Sequence, residues 1–220
     1  MDAAEQLYAE YGFAQVSFSR ITAAAKQKNK SALQYHFAGR DDLILAILHR
    51  HLDAVEERRL AMVEALGRSG SISMDDIMAC FIVPTVEHHI ELGTPSWIAR
   101  FQAQAIVDPA LRDLTIRTIL RMPSTVKLRE LGCVHWPNRS RELLDVRDQM
   151  IRHLTVHTFA ELERDLAQAH VDQAGTETAW RTTGGQLLRA ISGLNRALLD
   201  DAVTTGSATP DSTATRRLSS

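Results

Sequence analysis

Only two cysteines, Cys80 and Cys133, occur in 220 residues, and neither lies in a Cys-x-x-Cys pair. A disulfide framework and a cysteine-based metal site are thereby excluded, and a reducing, cytoplasmic setting is expected. Aromatic residues are scarce at 5%, and no alternating run of β-branched residues is long enough to argue for a strand. No apolar stretch approaches the roughly 20 residues that a bilayer-spanning helix needs. The opening Met1-Asp2-Ala3-Ala4-Glu5 has neither the basic start nor the apolar stretch of a signal peptide. Net charge is only −2, so any affinity for nucleic acid must come from a local patch. Proline is missing from the first 83 residues, and nothing there interrupts a helical pattern.

What is there reads as all-α. Leu43, Ile44, Ile47, Leu48, Leu52 and Val55 recur at helical spacing. A first helix is expected from Asp2 to Tyr11, stopped by Gly12. Ser17 is a suitable N-cap for a short second helix ending near Ala25. A turn over Lys26-Gln27-Lys28-Asn29 leads to a third short helix over about Lys30–His36. Asp41 and Asp42 favour the start of a long helix to about Leu66. Ser73 opens the next, and Thr94-Pro95 predicts another helix start, a cap followed by proline at the first position. Pro109 and Pro123 punctuate one or two more. Asn138 or Ser140 opens a long helix to about His170, and Gly175-Thr176 precedes a last one to about Val203. From Thr204 onward nine of 17 residues are Ser or Thr, the composition of a disordered tail.

Two short helices joined by a tight turn suggest a helix-turn-helix. Between Gln15 and Arg40 lie five cations, Arg20, Lys26, Lys28, Lys30 and Arg40, and no Asp or Glu. Such an excess binds phosphates by releasing their counterions, although a solvated basic loop would have the same composition. The residues Leu7-Tyr8, Gly12-Phe13, Val16-Ser17, Ile21, Ala24-Ala25 and Ser31-Ala32-Leu33-Gln34-Tyr35-His36-Phe37-Ala38-Gly39-Arg40-Asp41-Asp42-Leu43 decide between them. In order and spacing they closely resemble the DNA-binding domain of TetR-family transcriptional regulators, over about residues 2 to 50. One departure is Ala25-Lys26, where the family usually has Ala-Gly.

The resemblance implies an N-terminal three-helix DNA-binding domain (1–50) and a C-terminal helical ligand-binding and dimerisation domain (51–203), followed by the tail (204–220). It places Lys28, Asn29, Lys30, Ser31 and Ala32 at the turn and the start of the recognition helix, which enters the major groove of double-stranded DNA. Gln34 suits adenine or a phosphate. Ser17, Tyr35, His36 and Arg40 match backbone-contacting positions. A homodimer through 140–170 and 176–203 is expected, with Gly184, Gly185 and Gly193 allowing close helix approach. A pocket for an unknown small-molecule effector is sought among Met78, Phe81, His88, Trp97, Phe101, Gln104, Met122 and Trp136. His153 and His157 stand four apart, but no metal or other cofactor is expected.

The function expected is a ligand-responsive repressor acting on a palindromic operator, not an enzyme. The alternative is a helical small-molecule-binding protein or enzyme without sequence-specific DNA binding. That reading needs catalytic machinery, and the sequence offers no glycine-rich phosphate loop, no His-Glu-x-x-His and no convincing triad.

Overall fold

The computed structural model describes residues 1–25, 36–135, 139–169 and 171–204. Every regular element among them is helical, and no helix there is long and apolar enough to cross a membrane. The third short helix expected over Lys30–His36 and the tail fall almost wholly outside these residues.

Local signals account for most boundaries. Helix α1 (Asp2–Tyr11) stops at Gly12, whose φ of 73° is the left-handed region that glycine reaches without a Cβ penalty. A single 3₁₀ turn, Phe13–Gln15, leads to α2 (Phe18–Ala24), where the Ser17 hydroxyl accepts from the Arg20 amide. Helix α3 (Arg40–Gly67) carries Asp41 and Asp42 in its first turn. Ser73 and Asp76 form a reciprocal capping box at the head of α4 (Met74–Leu92). Three shorter helices follow, α5 (Ile98–Val107), α6 (Arg112–Leu120) and α7 (Pro123–His135). Two long ones close the chain, α8 (Arg141–Ala169) and α9 (Gln173–Thr204).

Two expected starts are displaced. Thr94-Pro95, joined by a cis bond, lies in the turn ahead of α5, and the helix begins only at Ile98. No local side chain caps it. The cap comes instead from Glu163 on α8, 64 residues away, which accepts from the backbone amides of Ala99 and Arg100 at 3.0 Å each. Its carboxylate also accepts from the Ser96 hydroxyl and from Nε of Arg100. A carboxylate at a helix N-terminus satisfies orphan amides and meets the positive end of the dipole. Helix α9 starts earlier than Gly175-Thr176, because Asp172 accepts from the amide of Gly175 and its carbonyl from that of Thr176.

The apolar interior divides in two. In one cluster Ala4, Tyr8, Phe13, Val16, Ile21, Leu43, Ile44 and Ile47 are joined by Ile98, Phe101 and Ala105 of α5. The N-terminal head therefore closes its core with a helix from beyond its own first 50 residues. Phe13 and Phe101 meet edge-on at 5.3 Å, and Tyr8 completes the aromatic group. The second cluster holds Val63, Ile77, Met78, Ile82, Val86, Phe159, Trp180, Leu187 and Ile191, from α3, α4, α8 and α9. Gly184 lets α9 approach α4, since a Cβ there would lie 2.7 Å from Val86. Gly193 faces open space.

Glu163 is only 2% exposed, so its removal strands the half-buried Arg100 guanidinium and two helix-end amides. Glu163→Ala is expected to cost about 3–5 kcal/mol, a fall in Tm on the order of 10 °C. Glu163→Gln, which keeps an acceptor oxygen, should lose clearly less. Thermal unfolding followed by circular dichroism separates the two, and equal losses would remove the cap from the account.

Candidate nucleic-acid interface

Of the residues assigned to DNA contact, Ser17, His36 and Arg40 are described; Lys28, Asn29, Lys30, Ser31, Ala32, Gln34 and Tyr35 lie outside the described residues. The elements on either side of that segment, α2 and α3, are both fixed on the head core through Ile21 and through Leu43 and Ile44. Ser17 caps α2, and its hydroxyl proton stays available to an acceptor while its oxygen accepts from the helix. Arg20 lies over Tyr11, its guanidinium carbon 3.8 Å from the ring centroid, a cation–π contact that holds the charge near the start of α2. Arg40 sits 3.7 Å from Asp108 at the end of α5, its guanidinium 5.7 Å from the ring of Phe13. A phosphate at Arg40 therefore competes with an ion pair to the body of the protein.

Behind this surface runs a buried polar chain that crosses from head to body. Glu5 of α1 lies 2.9 Å from Nε2 of His51 on α3, and Nδ1 of His51 lies 2.8 Å from Nε2 of His88 on α4. A carboxylate can only accept, so His51 donates Nε2–H to it, and one proton is shared between Nδ1 of His51 and Nε2 of His88. Arg50 reaches Glu5 and Asp2 from the other side, and the guanidinium holds the Asp2 carboxyl below its usual range. Next to His88, His89 is stacked on Trp180 at 4.2 Å with the planes 2° apart. Burial pushes His88 down to about 4, helped by the neighbouring His51, and pushes His89 down to about 3. Both rings are neutral near pH 7.

Glu5, His51 and Glu163 were not singled out as sites from sequence, yet each carries a readable signal. His51 falls between Ile47 and Val55 on the apolar stripe of α3, and Glu163 follows Phe159 by four on that of α8. A charged or titratable residue on a buried stripe needs a partner; what periodicity cannot supply is the partner's identity.

The effector-pocket candidates are spread over separate parts of the molecule. Met78 and Phe81 belong to the body core, Trp97 and Phe101 to the head core, and Met122 packs with Leu48 and Leu52. His88 is in the polar chain, and Trp136 is outside the described residues. Gln104 alone of them lines a cleft of about 240 Å³, beside Tyr11, Gly12, Gln15 and Asp108.

Comparison with known families adds one finding. Residues 1–47 match the family model described as bacterial regulatory proteins, tetR family. The N-terminal domain is a tetR-family DNA-binding domain. The match covers the N-terminal 47 residues, and the described residues behind them form an all-helical body. No curated protein and no solved structure matches the chain.

Behind this tetR-family domain the two depressed histidines set the sign of an acid response. Unfolded histidines take up protons below about pH 6.5, whereas folded His88 and His89 refuse them until about 4 and about 3. The unfolded state thus binds more protons in that window, and stability falls as pH drops from about 6.5 toward 4. His89→Phe keeps a ring over Trp180 and removes one of the two titrations. Its Tm is expected to decline less steeply between pH 7 and pH 5 than that of the parent, and parallel slopes would contradict the assignment.

Proposed function

We propose that the protein is a ligand-responsive repressor that binds a palindromic operator as a homodimer and is released by a small-molecule effector. The match of residues 1–47 to the tetR family carries the reading; the basic stretch from Gln15 to Arg40, free of Asp and Glu, supports it. Lys28, Asn29, Lys30, Ser31, Ala32 and Gln34 are the base-reading candidates of this proposal, with Ser17, Tyr35, His36 and Arg40 on the phosphates.

The dimer is supported by a row of apolar side chains on α8. Val146, Met150 and Leu154, spaced by four, are 43%, 42% and 40% exposed, although the same helix buries Phe159 and Leu166 in its own body. A second copy of α8 and α9 covers such a row, and two heads related by a dyad read the two halves of a palindrome. Helix α3 spans 28 residues, about 42 Å, and joins the head to the body as a single lever. For release, the effector must bind the arrangement in which the heads miss their half-sites more tightly than the arrangement in which they fit.

Selection of bound sequences from a random DNA pool at near-physiological salt is expected to return a palindrome. On that operator Lys30→Ala and Gln34→Ala should each weaken binding by about 1–3 kcal/mol. Affinity and sequence preference unchanged in both would sink the proposed surface.

Leu154→Glu is expected to leave helix content intact while halving the mass measured by light scattering, with loss of operator binding. A Leu154→Glu protein that stays dimeric would rule out this face.

A further inference from the structure

His153 and His157 stand about one turn apart on α8. Such spacing is common on helices and carries no metal site by itself; what the structure adds is the surroundings of the two rings. Both residues are exposed, and their rings meet edge to face with the centroids 6.1 Å apart. Among the described residues neither ring makes a hydrogen bond or an ion pair. His51, His88 and His89 differ in every respect: they are buried, and a carboxylate, one another or Trp180 engages them. Two accessible imidazoles thus face only each other.

Two histidines four residues apart on one helix face bind a single ion through one ring nitrogen each, the pairing that helical zinc sites use. Zinc–nitrogen bonds of about 2.0–2.1 Å, added to the two ring radii, span the separation seen here, so side-chain rotation alone can close the chelate. Desolvation, with Arg152, His157 and Arg112 close by, holds His153 below the ordinary histidine value, which leaves its lone pair free near pH 7. Glu161 follows His157 by four but does not converge with the pair, since no group of three or more His, Cys, Asp or Glu ligands forms among the described residues. The donor set is therefore two neutral nitrogens and no oxygen. Imidazole suits nickel, copper and zinc, whereas magnesium and calcium require oxygen ligands.

We propose that His153 and His157 bind one divalent transition-metal ion of the nickel, copper and zinc group on the outer face of α8, leaving its other coordination positions open. The site rests on these two side chains and not on the regulator reading. Met150, His153, Leu154 and His157, at i, i+3, i+4 and i+7, share one helix face. The ion accordingly lies beside the exposed apolar row, where the second copy of the proposed homodimer packs.

The test is calorimetric titration of the untagged chain, stripped of metal by a chelator and without DNA, with zinc chloride and separately with magnesium chloride at near-neutral pH. Zinc is expected to bind saturably at one ion per chain, and magnesium not to bind. His153→Gln and His157→Gln should each weaken zinc roughly tenfold or more, since even an outer-shell partner of a metal ligand is worth that much. His49→Gln, at an exposed histidine of α3, should leave zinc binding unchanged. All three side chains are exposed, so the variants are expected to keep the parent's circular dichroism. No saturable zinc binding overturns the proposal, as does zinc binding that survives intact in either α8 variant. Magnesium binding as tight as zinc, or an equal loss in His49→Gln, overturns it too. None of these outcomes depends on whether an operator is found.

Discussion

The fold turns on one carboxylate. Helix α5 packs against α1 on one side and α8 on the other, yet its own sequence supplies no cap. Glu163 fixes its N-terminus from α8 through two backbone amides, a serine hydroxyl and a guanidinium. A charge this deeply buried is tolerated only when nearly every lone pair is used, and here four donors converge on it. Because Phe101 of the same helix is a keystone of the head core, the position of the head against α8 is set through this one cap. The helix that carries the exposed apolar row is thereby the helix that holds the head in place.

A second polar joint runs alongside. Glu5, His51 and His88 link α1, α3 and α4 by direct hydrogen bonds, so the head is hydrogen-bonded to the body here, while Glu163 holds α5 and α8 together within the body. Beside the Glu5–His51–His88 chain lie apolar contacts of Phe101 and Ile98 with the head. Dispersion contacts tolerate small shifts, since each pair of atoms contributes only on the order of 0.1–0.2 kcal/mol. Hydrogen bonds tolerate far less, because they weaken steeply outside a narrow range of distance and angle.

How much of this was legible in the sequence depends on how local its cause is. Gly12, Ser17, Asp41 with Asp42, and Ser73 announced their boundaries because the cap and the orphan amide are a few residues apart. Thr94-Pro95 misled for the converse reason: a good local start signal was overridden by a carboxylate 64 residues on. The domain core showed the same limit. Residues 1–50 carry the tetR pattern, but Phe101 and Ala105, which help bury Tyr8 and Phe13, sit where no local rule connects them to the head. The two long closing helices were legible from their start signals, but the split of α8 into a buried half around Phe159 and an exposed row at Val146, Met150 and Leu154 was not. Helical periodicity gives the face a residue occupies; what covers that face is decided by the partner helix.

The balance between polar and apolar contacts at the seam bears on how a reading head can be moved. An interface made only of apolar contacts would let the head drift over a continuum of positions at small cost. One pinned by Glu163 and by the Glu5–His51–His88 chain has a few arrangements in which all donors and acceptors are paired, and intermediate ones in which a buried group is stranded at about 1–3 kcal/mol or more. That is the condition for discrete states, and only discrete states allow a ligand with modest differential affinity to shift the head between them. In the proposed repressor, the 28-residue α3 and the Glu163-capped α5 reach the head by separate routes. A change in the body therefore has to move both together or break one of the two polar joints.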